Sequence, residues 1–116
     1  MSYDICGWFD KQGNPLPDPQ AAIGLRYDMK DGGRISDYAR IGKDTVGDTE
    51  VSTVWLGMNH AFTPNRLAIF ESMCFGGEKD GECIRYATEQ EAVDGHRRIV
   101  ENLRAGRKPW PDEEDQ

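Results

Sequence analysis

Residues 67–104 read LAIFESMCFGGEKDGECIRYATEQEAVDGHRRIVENLR, and the fold class follows from how this stretch changes period. Leu67 to Phe75 is an almost continuous apolar run with Glu71 and Ser72 at its middle, a length and composition that suit a strand. GGEKDG (76–81) is a glycine-bounded loop of hairpin length, and ECIRYA (82–87) supplies the returning strand. Thr88 then opens TEQE, in which a hydroxyl precedes a carboxylate by three residues, the reciprocal arrangement that caps a helix start. Ala92, Val93, His96, Ile99, Val100 and Leu103 recur at spacings of three and four, so they share one helical face. Gly106 provides the stop. The spacing predicts a helix from about Glu89 to Arg104 lying on a sheet. Arg104, Arg107 and Lys108 crowd its last turn, where the helix dipole favours cations, which gives them a structural explanation.

Working backwards, Glu50 to Met58 is rich in Val, Thr and Trp, and the segment from Ile35 through SDYARIGK alternates before a turn at VGD (46–48). These strands extend the hairpin into an antiparallel meander. The expected fold is therefore α+β: a sheet of four or more strands with a C-terminal helix packed on one face. The front half is loop-rich. Tyr3 to Phe9 suits a short strand, DKQGN a turn, and the three prolines of PLPDP (15–19) block a continuing strand or helix. Ala21 to Asp28 is expected as a strand, followed by a turn at KDGGR. With 116 residues, the economical division is one domain over residues 1–108 and an acidic C-terminal tail over 109–116, with Trp110 able to fold back on the body.

The net charge of −7 and pI near 4.7 disfavour a nucleic-acid partner, because binding the phosphate backbone calls for clustered Lys and Arg. No run approaches the eighteen or so apolar residues of a spanning helix, and Met1 to Asp10 lacks the basic start and apolar stretch of a signal peptide. A cytoplasmic protein without membrane attachment is the expectation. Cys6, Cys74 and Cys83 are an odd, widely spaced set, so reduced thiols are expected.

His60, His96, Cys74 and Cys83 form a nominal metal or thiol set, yet they lack the close ligand pairs of zinc sites, and no helix begins just after either cysteine to activate it. No cofactor is expected; an enzyme using these four residues stays open as the alternative. Glu71 has two readings, a carboxylate on the polar sheet face or a buried acid. Phosphate-loop, dinucleotide, HExxH, GxSxG and EF-hand patterns are missing. Asn59 and His60 follow Gly57 and precede Pro64, a pattern that reads as the connection after a strand. Trp8, Trp55, Met58 and Phe62, with His60, are the candidates for a partner-binding patch, which could also close a homodimer; a core position is the competing role for Trp55.

Ser52 to Gly57 followed by an Asn-His pair, the IFESM strand ending in a glycine pair, and a helix carrying Gly95-His96 at its middle give the chain a resemblance. Over residues 38 to 103 it resembles a group of small uncharacterised proteins encoded by bacteriophages and prophages. The resemblance implies a source class and no chemistry; modest size, acidity, aromatic residues and the lack of catalytic motifs are what fit an accessory protein that binds a host or phage protein.

Overall fold

Period-two alternation dominates the sheet. The computed structural model describes residues 7–61 and 66–111. In chain order the elements are α1 (Pro19–Arg26), β1 (Tyr27–Asp28), β2 (Arg34–Ile35), β3 (Arg40–Val46), β4 (Thr49–Trp55), β5 (Phe70–Phe75), β6 (Cys83–Tyr86) and α2 (Glu89–Arg104). Strands β3 to β6 form an antiparallel meander in that spatial order, while β1 and β2 make a separate two-stranded ribbon. Along β4 every second residue is buried, Thr49, Val51, Thr53 and Trp55, and these face α2. The β3–β4 connection is two residues long, with Gly47 at φ +60°, the positive φ that such tight hairpins demand.

Local chemistry sets both ends of α2. Thr88 Oγ1 accepts from the Glu91 amide at 3.1 Å, and Glu91 Oε1 accepts from the Thr88 amide at 3.1 Å. At the other end the Arg107 amide reaches the Asn102 carbonyl (2.8 Å) and the Gly106 amide reaches Leu103 (3.0 Å), with Gly106 at φ +75°. This is the Schellman closure, which only a residue free to adopt left-handed backbone completes without strain.

Two apolar clusters lie between α2 and the sheet. One contains Phe9, Ala22, Trp55, Ile69, Phe70 and Ala92 among its buried members; the other contains Val51, Cys74, Ile99 and Val100, with Trp110 packed against it. The order along each element shows what separates them. Thr53 stands between Val51 and Trp55, Ser72 between Phe70 and Cys74, and His96 between Ala92 and Ile99. A polar layer therefore crosses the middle of an otherwise apolar interface.

Several expectations change. Ala21 to Asp28 is not a strand over most of its length: Pro19 to Arg26 is helical, because the Asp18 carboxylate caps the Ala21 amide (2.9 Å) and Pro19 occupies the first turn, where its missing N–H has no intrahelical role. Of the tail segment 109–116, residues 112–116 lie outside the described set; Pro109 is buried and its carbonyl accepts from Asn102 Nδ2 at 3.0 Å. Of Tyr3 to Phe9, residues 3–6 lie outside the described set; Trp8 and Phe9 make single bridges, to Met58 and Pro15. Among the described residues no helix is long and apolar enough to cross a membrane.

Helix and sheet also interlock through missing side chains. A Cβ at Gly95 would overlap the Tyr86 ring, whereas one at Gly24 in α1 would meet nothing within 4 Å. Gly24→Ala should raise stability by up to about 1 kcal/mol on helix propensity. Gly95→Ala should instead lower it by about 1–3 kcal/mol through overpacking. Denaturant unfolding of the two variants checks the pair of signs.

Candidate functional site

Two polar constellations stand out, one inside the protein and one on its surface. The interior one is the layer just described. The Tyr86 hydroxyl donates to Ser72 Oγ at 3.0 Å, Ser72 and Thr53 hydroxyls are 2.5 Å apart, and Thr53 Oγ1 lies 2.6 Å from His96 Nδ1. On the far side of the ring His96 Nε2 is 2.7 Å from Asp44 Oδ2. A neutral imidazole carrying its proton on Nε2 satisfies every member in one direction: Tyr86 donates to Ser72, Ser72 to Thr53, Thr53 to Nδ1, and Nε2–H to the Asp44 carboxylate. Gly42 makes the approach of Asp44's strand feasible, since a Cβ there would lie 2.8 Å from Nε2.

A carboxylate, an imidazole and a hydroxyl in series are the ingredients of nucleophilic catalysis. Here both hydroxyls are 0 % exposed, and both ring nitrogens are already engaged. The arrangement can hold the helix on the sheet; it offers an incoming substrate no nucleophile. Burial, only partly offset by the bond to Ser72, pushes the Tyr86 hydroxyl above the ordinary phenol range.

The alternative pairing of Cys74 or Cys83 with His96 does not form. Cys74 faces α2 within the second apolar cluster, whereas Cys83 lies on the opposite face of the sheet from His96, in register with Met73 and beside Glu71. Burial raises both thiol pKa values; Glu82 adds to the effect at Cys74 and Glu71 at Cys83. Both are therefore protonated at neutral pH. Among the described residues no three His, Cys, Asp or Glu side chains converge as a metal site. Glu71 takes the polar-face role: it opposes Arg85 across the β5–β6 pair and bonds its Nε at 3.1 Å.

The surface constellation is a groove of about 970 Å³ where the chain entering β5 and the chain leaving β6 diverge. Lys11, His60, Arg66 and Arg85 bring basic groups to it, Leu67 and Tyr86 bring apolar surface, and Glu91 borders it beside the start of α2. The loop geometry is set by Asn59, only 4 % exposed, whose Oδ1 accepts from the amides of Ala61 (3.1 Å) and Ala68 (2.9 Å). Asn59 thus shapes this connection as its position in the sequence indicates. The His60 amide donates to the Ala68 carbonyl at 3.0 Å, and its imidazole makes no hydrogen bond to a described residue. Burial lowers the His60 pKa, with Arg85 and Arg26 adding to the effect and Glu71 opposing it. The ring is therefore a neutral group in a positive local field.

The remaining candidates scatter. Trp55 is fully buried, stacks edge-on to Tyr38 with centroids 5.2 Å apart, and donates to the Phe9 carbonyl at 3.1 Å, so it belongs to the core and to no exposed patch. Trp8 and Met58 are half-buried and bridged to each other. Phe62 lies outside the described residues. Lys11, Arg66 and Arg85 went unremarked in the sequence because each is an isolated cation, distant from the others along the chain. No protein-family model matches this sequence, and neither a curated protein nor a solved structure does.

The His60 shift has a sign that can be checked. Its folded pKa lies below the ordinary 6.5, so as pH falls through 6.5 the unfolded chain takes up the proton first and stability drops until the folded pKa is passed. Removing the imidazole removes this contribution. The difference in unfolding free energy between about pH 7.5 and about pH 5.5 should be smaller in His60→Gln than in the wild type, as measured by urea titrations at the two pH values.

Proposed function

We propose that the protein works by binding another protein, as a small accessory protein of bacteriophage origin acting in the host cytoplasm. One observation carries this reading. The hydrogen-bonded series of His96, Thr53 and Ser72, and the Cys74 thiol, are spent inside the fold, while the groove, which His60 and Cys83 also line, keeps basic groups and apolar surface at the solvent boundary. Mixed apolar and cationic lining is what recognition of a protein segment uses. The resemblance to phage-encoded proteins supports the source and the compartment. The competing enzyme built on His60, His96, Cys74 and Cys83 is not assembled as a set: His60 and Cys83 both line the groove, whereas Cys74 and His96 lie inside on the α2 face of the sheet, and the Cys83 thiol is raised in pKa by burial and by Glu71.

A second copy of the chain is the other protein that could fill this role, and the test separates the two. Size-exclusion chromatography with light scattering reads the oligomeric state of the pure protein. The immobilised, folded protein is then exposed to host and infected-host lysate, and any retained protein is purified and titrated calorimetrically against the bait. The expected result is a monomer that binds a retained protein with a defined stoichiometry at physiological salt. Retention that persists with a heat-denatured bait, or no saturable binding by any retained protein, would overturn the proposal.

A further inference from the structure

The basic groups around the groove are not equally occupied. Lys11 Nζ is committed to Glu89 Oε2 at 2.7 Å and lies over the Tyr38 ring, 4.9 Å from its centroid. Arg85 is bonded to Glu71 through Nε alone, at 3.1 Å, so its two terminal nitrogens make no hydrogen bond among the described residues. Arg66 is exposed and makes no ion pair or side-chain hydrogen bond to a described residue. Glu91, the carboxylate among the groove-lining residues, is turned to the backbone, where Oε1 accepts from the amides of Ala87 and Thr88, both at 3.1 Å. The groove thus presents two guanidinium groups with open donors in a chain whose net charge is −7.

Guanidinium forks match carboxylate oxygens in pairs, which makes an anion the complementary occupant. Size and lining narrow the class. A space of about 970 Å³ is at the upper end of ligand-sized clefts, too large for one carboxylate ion, and Leu67 and Tyr86 give it apolar surface to be covered. A nucleic-acid strand fits poorly, because it would carry its phosphates past the groove onto an acidic surface. We infer that the groove is the docking site for a short segment of a partner protein carrying one or two carboxylates beside apolar side chains, with Arg66 and Arg85 receiving the carboxylates. This names the partner chemistry of the protein-binding reading and rests on it.

Arg66 is the residue to alter, since its exposure makes a charge reversal compatible with folding. The probe is a random library of peptides about ten residues long, selected on the immobilised full chain, with enriched peptides measured by fluorescence anisotropy. The expected result is enrichment of Asp or Glu next to apolar residues and affinity that weakens with added salt. Affinity should fall at least about tenfold in Arg66→Glu and stay unchanged in Arg97→Glu, a control on the exposed side of α2 where Arg97 pairs with Asp94. Enrichment without acidic positions, no enrichment at all, equal affinity in Arg66→Glu, or displacement by an oligonucleotide that binds more tightly than the peptides would overturn the inference. Applying Arg66→Glu to the lysate capture keeps the two claims apart. Capture unchanged by Arg66→Glu sinks the groove and leaves protein binding standing, whereas selected peptides without any captured protein sink the wider reading alone.

Discussion

The imidazole of His96 joins three elements at one point: α2, which carries it, β4 through Thr53, and β3 through Asp44. Thr53 and Ser72 sit at inward positions of central strands, where an unpaired hydroxyl costs a few kcal/mol. His96 and Tyr86 terminate that hydroxyl pair, and Asp44 terminates the imidazole. A helix rotated or shifted along the sheet would leave the chain of donors open, so a purely apolar contact that tolerates sliding becomes one that specifies a single docking position. Gly42 and Gly95 belong to the same device, because only their lack of side chains lets the imidazole and the phenol occupy these places.

That interior chain also bears on the groove. Tyr86 ends the hydrogen-bonded series with its hydroxyl and is also one of the residues that line the groove. One groove wall is therefore fixed from within. The loop opposite is fixed by Asn59, which ties residues 61 and 68 together through one carboxamide oxygen. A binding surface held on both sides loses little conformational entropy when it is occupied. Burial first, and then Arg85 and Arg26 against the opposing Glu71, keep His60 neutral beside it.

What could be read from the sequence depends on how local its causes are. Helix α2 was legible to its boundaries because Thr88, Glu91 and Gly106 act within a few residues of themselves, and the β4 alternation is likewise local. Helix α1 was missed for a local reason as well: Pro19 was weighed as a breaker, although after Asp18 it opens a helix. The polar layer was hidden because His96 meets Thr53 and Asp44 across 43 and 52 residues of chain, so its period on α2 shows only that it faces inward. The groove was hidden more deeply. Nothing in the spacing of Lys11, Arg66 and Arg85 brings them together; the meander and the turn closed by the Phe9–Pro15 bridge do.

Stability of Thr53→Val tests the central claim most directly. Valine keeps the shape of the side chain and removes the one hydroxyl that serves both His96 Nδ1 and Ser72. If the polar layer fixes α2 on the sheet, urea unfolding should show a loss of about 1–3 kcal/mol with an unchanged m value, since buried groups are left unpaired in a fold of the same extent. A midpoint equal to that of the wild type would contradict the account and return the docking of α2 to the two apolar clusters alone.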